Sequence, residues 1–402
     1  LPDIESGAAS LIRRARWFQF HAKYLWRFHR PFVKRYLTTR CVRCAVSAAY
    51  AELDSHGVCA ACRDGAPALT GESSSEPETL QRLAAELDRV LGHYAGRGAG
   101  AYDALVMLSG GKDSAFLVHE LQRRFPRLRL LAFTIDNSFM SPVALGNLRQ
   151  IVEKLDLDHV LLRPAVSVWR KSFRFACTLA EPGKGCFETA DRIDADLSFS
   201  LAKIYAAENR IPLLVSGLSW AQIERMYGTA SFEIPPDIAL KKVTSVLGRP
   251  LDQIYEPAEM AYWWDPARFS EDCHPRFVHP CYVWRYEENF IQQAVVNLGL
   301  MTKGNDSPLL TNNIIIPIMV VIDYLNLGYA SYEPEFAAQV RAGKADGNFW
   351  RNVFEMLEYA AKTGWMLDRE VEKILQILGL TRAEIERRPA PPSSGAIAVR
   401  TR

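Results

Sequence analysis

Met107-Leu108-Ser109-Gly110-Gly111-Lys112-Asp113-Ser114 is the stretch that decides the fold. Ala104 to Leu108 before it is an apolar run suited to a buried parallel strand. Ala115-Phe116-Leu117-Val118-His119-Glu120-Leu121 after it carries apolar positions at helical spacing. Two glycines therefore stand where a strand turns into a helix. There they let the backbone approach a ligand, and the first helical N–H groups and the helix dipole favour an anion such as phosphate. Lys112 adds a point charge for phosphate oxygens, and Asp113 is a carboxylate within reach of a magnesium ion. The spacing is not that of the Walker loop, which needs Gly, four residues, then Gly-Lys-Ser/Thr.

Outward from this loop the pattern alternates strand and helix, which predicts a doubly wound parallel α/β sheet. Strands are expected at 104–108, 129–135, 159–162 and 212–217, with helices near 114–125, 142–156 and 189–209. Ligands of such sheets sit at the carboxyl ends of the strands. That rule selects the Ser109 loop, Thr134-Ile135-Asp136-Asn137, and Ser216-Gly217-Leu218-Ser219-Trp220. Thr134 and Ser216 read equally as ordinary strand-end turn residues.

Composition sets the class. The chain has 402 residues, 49% apolar and 23% charged, so it is globular and large enough for two or three domains. A net charge of +2 exerts no global pull on nucleic acid. The apolar run Ile314 to Ile322 contains Pro317 and is too short to cross a bilayer.

Cys41-Val42-Arg43-Cys44 and Cys59-Ala60-Ala61-Cys62 form two Cys-x-x-Cys knuckles, the spacing of a closed tetrahedral zinc site. A filled shell leaves no position for substrate, so the expected role is structural. Zinc thiolates favour a reducing, cytoplasmic location. Ahead of the knuckles, residues 10 to 37 interleave Arg13, Arg14, Arg16, Lys23, Arg27, Arg30, Lys34 and Arg35 with Trp17, Phe18, Phe20, Tyr24, Trp26, Phe28 and Phe32. Three readings fit: aromatics packing the arm onto the body, an anionic membrane surface, or RNA.

Beyond the third strand, Glu181-Pro182-Gly183-Lys184-Gly185-Cys186 reads as a loop ending in a cysteine beside a lysine. A nearby cation lowers a thiol pKa, so Cys186 is a candidate nucleophile; the alternative is a buried apolar residue, the reading favoured for Cys177. Asp191, Arg192, Asp194 and Asp196 open the next helix and could hold magnesium or a substrate amine, although acidic first turns are normal helix chemistry. Residues 228 to 285 are punctuated by proline and tryptophan, and Cys273, His274, His279 and Cys281 suggest a second metal site there. Lys303-Gly304-Asn305-Asp306-Ser307 is a polar loop that could face the active site. Helices are expected at about 289–298, 312–326, 334–342, 347–363, 368–378 and 382–387.

Ser109 to Ser114 resembles the pyrophosphate loop of the PP-loop ATP pyrophosphatase superfamily. With Arg40-Cys41-Val42-Arg43-Cys44 and Asp54-Ser55-His56-Gly57-Val58-Cys59-Ala60-Ala61-Cys62, the chain resembles the N-acetyl sugar amidotransferase family of bacterial surface-polysaccharide biosynthesis. The resemblance covers roughly residues 38 to 220 and continues through Asn147-Leu148, Val168-Trp169-Arg170-Lys171 and Ile211-Pro212-Leu213. It implies the adenine nucleotide alpha-hydrolase-like fold, with ATP and Mg2+ at Ser109, Gly110, Gly111, Lys112, Asp113 and Ser114. It further implies nucleotide contacts at Thr134, Ile135, Asp136, Ser216 and Gly217, and Zn2+ on the four knuckle cysteines. Lys112, Asp113 and Cys186 are the expected catalytic residues. The implied reaction is adenylation of a small-molecule oxygen followed by nitrogen transfer, with ammonia from a separate glutamine amidotransferase subunit. Two departures stand out: Gly183 replaces the first of an expected cysteine pair, and the insertion after 225 is extra.

The rival reading keeps adenylation but installs sulfur on a small molecule, nucleobase or tRNA, through Cys186 and a sulfur donor protein. A third is a non-catalytic, zinc-bearing RNA- or membrane-binding adaptor. Nucleic acid is the less favoured partner, and the expected assembly is a homo-oligomer. The expected organisation is an arm over 1–37, the zinc-ribbon-like element over 38–64, a linker and helix over 65–101, and the ATP-binding domain over 102–227. An insertion or lid over 228–285, a helical region over 286–388 and a disordered tail over 389–402 follow.

Overall fold

The computed structural model describes residues 13–65, 77–179, 184–284, 286–306, 311 and 313–386. Part of the linker, Glu181 to Gly183, Ser307 and the tail from 389 lie outside them. The chain forms two compact units. One is built from residues 1–21, 67–172 and 192–314, the other from 22–66, 173–191 and 315–402.

The first unit holds a five-stranded parallel sheet in the order β3-β2-β1-β4-β7. Its strands are β1 (Ala104–Met107), β2 (Leu130–Ile135), β3 (Asp158–Leu162), β4 (Leu213–Val215) and β7 (Arg276–Val278). A short antiparallel pair, β5 (Ser245–Val246) and β6 (Arg249–Pro250), lies apart from it. Ala104, Leu105 and Val106 are consecutive and all fully buried. Successive strand residues point to opposite faces, so both faces of β1 are covered. The cover includes helices Pro77–Tyr94, Lys112–Arg124, Pro142–Leu155 and Cys186–Glu208, whose apolar residues join one core with the strands. This is the doubly wound parallel sheet expected from the sequence.

The four expected strands are present, but β7 falls in the proline-rich segment read as an insertion. Arg276, Phe277 and Val278, the three residues after Pro275, carry no periodic signal. They are placed by pairing Leu213–Val215 with Arg276–Val278 and by an ion pair from Arg276 Nε to Glu233 Oε1 at 2.8 Å.

The second unit carries the knuckles and helices Trp26–Val33, Ile316–Asn326, Glu333–Arg341, Gly347–Thr363, Asp368–Leu378 and Arg382–Glu386. Its buried charge centre is Arg40, which reaches Glu333 Oε1 at 3.3 Å and Glu358 Oε2 at 3.1 Å. All three residues are almost fully buried, and Tyr324 Oη donates to Glu333 Oε1 at 2.7 Å. Among the described residues, no helix is long and apolar enough to cross a membrane.

Candidate functional site

Strand order reverses between β1 and β4, which lie side by side at the switch point where open α/β sheets bind ligands. The segment after β1 is Ser109 to Ser114. Gly110 has φ +77°, and a Cβ there would stand 2.3 Å from the Ala144 carbonyl oxygen. Only glycine fits both the left-handed backbone and this close approach. The loop is closed on itself: Ser109 N donates to Ser114 Oγ at 3.2 Å, and Ser114 Oγ donates to Gly111 O at 3.1 Å. Gly111 caps helix Lys112–Arg124 without a side-chain hydrogen bond. That leaves the helix start formed by backbone alone, the arrangement that suits an anion. At its first turn Lys112 Nζ pairs with Asp113 Oδ2 at 2.8 Å.

The structure brings Gly217 to the same place. A Cβ on Gly217 would lie 3.5 Å from Leu117 Cδ2 and 3.8 Å from Ser114 N and Cα. The segments after β1 and β4 thus lie against one another.

Asn147, on helix Pro142–Leu155, carries a role the sequence reading did not give it. It is buried, and its Nδ2 donates to Gly110 O at 3.0 Å and to Asn305 O at 3.0 Å. One amide therefore ties the phosphate-type loop to the polar loop Lys303 to Asp306. Arg16 Nη2 donates to Asn305 Oδ1 at 2.9 Å. The sequence signals were a lone polar residue within an apolar helix face and its place in the Asn147-Leu148 part of the resemblance.

Three side chains expected at the nucleotide are engaged within the protein. Thr134 is buried; its Oγ1 donates to Leu108 O at 2.6 Å and lies 2.8 Å from His159 Nε2. Its hydroxyl cross-links β1, β2 and β3, so the strand end offers a ligand only backbone at that residue. Asp136 is buried too, paired with Arg163 Nε at 2.7 Å and accepting from Ser138 N at 2.8 Å. Its carboxylate is spent on fixing the turn. Ile135, between them, is half-buried. Ser216 is buried, with Oγ 2.7 Å from Nδ1 of His279. Burial pushes the His279 imidazole down to about 3, so it is neutral.

Asn137 Nδ2 donates to Asp194 Oδ1 at 3.1 Å and to Asn313 Oδ1 at 3.2 Å, and Asn313 Nδ2 donates to Asp194 Oδ2 at 3.1 Å. Asp196 instead pairs with Arg192 Nε at 2.9 Å, and burial raises its carboxyl. The acidic helix start is thus divided between a polar cluster at the strand ends and an internal ion pair.

The Cys273, His274, His279 and Cys281 pattern does not close into a metal cluster among the described residues. His274 Nε2 lies 3.2 Å from Pro266 O, Cys273 Sγ 3.3 Å from Ser270 Oγ, and His279 is engaged by Ser216. The prolines and β7 hold these residues to different partners. Burial, with the Asp113 carboxylate adding to it, pushes the Cys281 thiol up to about 12, so it is not an activated nucleophile.

In the second unit the knuckles do converge. The sulfur atoms of Cys41, Cys44, Cys59 and Cys62 all lie within 4.8 Å of one another, the sole such His/Cys/Asp/Glu cluster among the described residues. Cys59 N donates to Cys41 Sγ at 3.4 Å, and Gly57 turns the chain at φ +72°. Four thiols, three of them buried, fit a closed tetrahedral zinc shell that would hold the element together. Val46, Val58 and Ala337 pack around them.

Cys186, the other expected catalytic residue, also belongs to the second unit. It is 1% exposed at the first position of helix Cys186–Glu208, with Sγ 3.7 Å from the fully buried Cys177. Its N–H donates to Asp323 Oδ1 at 2.5 Å. Burial lifts the Asp323 carboxyl to about 6, against hydrogen bonds from Ser331, Cys186 and Phe187 that favour its charged form.

No family model matches the chain, and no curated protein matches it. Solved structures do. An NH3-dependent NAD synthetase from Campylobacter jejuni matches at 14% identity over 38% of this chain and 62% of its own, with TM-score 0.28. The U34-tRNA thiolase NcsA of Methanococcus maripaludis, with its [4Fe-4S] cluster, matches at 11% identity over 77% of this chain and 87% of its own, with TM-score 0.33. NMN synthetase of Francisella tularensis matches at 10% identity over 67% of this chain and 95% of its own, with TM-score 0.34.

Proposed function

We propose that this chain is an ATP-dependent enzyme that adenylates an oxygen of a small-molecule acceptor. The observation that carries the reading is the glycine loop at the switch point, with Gly110 forced against Ala144 and an unadorned helix start behind it. ATP would lie with its phosphates against the Ser109 to Ser114 loop and the helix start behind it. Lys112 neutralises phosphate charge, and Asp113 is the carboxylate that would hold magnesium, which lowers the charge on the leaving pyrophosphate. The acceptor oxygen attacks the α-phosphorus and pyrophosphate leaves. A nitrogen nucleophile then adds to the activated carbon and AMP departs with the oxygen. The resemblance to N-acetyl sugar amidotransferases favours a sugar acceptor and ammonia from a partner glutaminase.

The second reading is sulfur transfer after the same adenylation, with Cys186 as carrier; its thiol lies 3.7 Å from that of Cys177, and both are buried. Pyrophosphate exchange into ATP tests the adenylation that both readings share, and turnover of Cys186→Ala separates them. Acceptor-dependent exchange that falls at least about a hundredfold in Lys112→Ala supports adenylation. Full ammonia-dependent turnover in Cys186→Ala removes the sulfur reading. A protein that releases no pyrophosphate with any acceptor in a cell extract overturns both and favours the adaptor.

A further inference from the structure

The arm from Ala22 to Tyr36 has two unlike faces. The inner one is pinned within its own unit. Trp26 is 1% exposed, and its Nε1 donates to Glu355 Oε2 at 2.7 Å. Arg30 Nε donates to the same oxygen at 2.6 Å, and Asn352 Nδ2 donates to Ala22 O at 2.7 Å. These contacts are what the plain packing reading expected of the arm.

The outer face is different. Tyr24, Phe28 and Phe32 follow one another four residues apart, one turn each, and are 49%, 58% and 84% exposed. Lys23, Arg27, Lys34 and Arg35 are exposed beside them. No Asp or Glu occurs between Glu5 and Glu52 in the sequence. Packing does not account for a ridge of rings turned outward on a pinned helix.

We propose that this face docks on an anionic lipid bilayer, with Phe28 and Phe32 sunk at headgroup depth and the cations against lipid phosphates. Apolar rings beside a Lys/Arg stripe are what a helix lying in the interface plane requires. The attraction reaches about one Debye length, roughly 10 Å at 0.1 M salt. RNA is the weaker match, because bases stack on ring faces. Lys23 Nζ sits 5.4 Å from the Tyr24 centroid and Arg27 Cζ 4.6 Å from that of Phe28, so one face of Tyr24 and one of Phe28 are already taken.

The test is co-sedimentation of the full chain with vesicles of phosphatidylcholine alone or mixed with phosphatidylserine. Binding is expected only to the mixed vesicles and should weaken with added salt. Phe28→Ala with Phe32→Ala, and separately Arg27→Glu with Lys34→Glu, should each weaken it at least about tenfold. Both variants should keep the parent circular dichroism, because the changed side chains lie at the surface. Equal binding to pure phosphatidylcholine, unchanged binding in either variant, binding to polyuridine but to no vesicle, or binding to neither overturns the proposal.

Discussion

Gly110 and Gly217 lie in the adjoining segments after β1 and β4 but are under different constraints. Gly110→Ala must move the Ala144 carbonyl and hold alanine at φ +77°. We expect a loss of about 1–3 kcal/mol in thermal or urea unfolding and abolition of pyrophosphate exchange. Gly217→Ala meets only ordinary van der Waals contacts, so its melting should stay near the parent's. Asn147→Leu strips Gly110 O and Asn305 O of their shared donor. The expected cost is about 1–3 kcal/mol, with KM for ATP raised more than kcat is lowered in steady-state assays. The Ser109–Ser114 loop was legible because its chemistry is local. Thr134 and Asp136 were not, because His159 and Arg163 become their partners only once β2 and β3 pair in register.

The elements of the second unit are held by buried charge. Arg40→Met would leave buried Glu333 without its cation and Glu358 with Lys362 alone, at a cost of about 3–5 kcal/mol in urea unfolding. Asp323 gives a pH dependence with the opposite sense to most carboxylates. Its folded pKa, about 6, lies above the unfolded value of about 3.9. Its contribution is therefore complete below the unfolded pKa and is lost as pH rises through about 6. Within that window stability should fall by up to about 1.4 kcal/mol per pH unit, and Asp323→Asn should flatten the slope in denaturant titrations from pH 4 to 7. The late helices were read within a few residues from periodicity, and the knuckles from spacing alone. β7 was missed because its identity is a pairing partner, not a composition.

Across the molecule, the sheet core and the cluster around the knuckles share no residue. Removing metal with a chelator should speed amide exchange at residues 41–62 and around Ala337 and Val340, and leave β1, β2 and β4 protected. Elemental analysis should find one zinc per chain, and Cys41→Ser should reproduce the chelator's effect. That the second unit draws on three separate stretches of chain was invisible in the sequence. Nothing in residues 22 to 66 announces that their partners lie near the other end.

The Arg40–Glu333 pair spans 293 positions. At 5–20 residues per second, a ribosome needs about 15–60 s to deliver Glu333 after Arg40. Throughout that interval the sheet-bearing segment can emerge and collapse, while the knuckles would depend on a captured metal. A nascent chain whose knuckles take zinc would thus be exposed to metal starvation during its own synthesis, and shortage should appear as proteolysed chains before it appears as zinc lost from the folded protein.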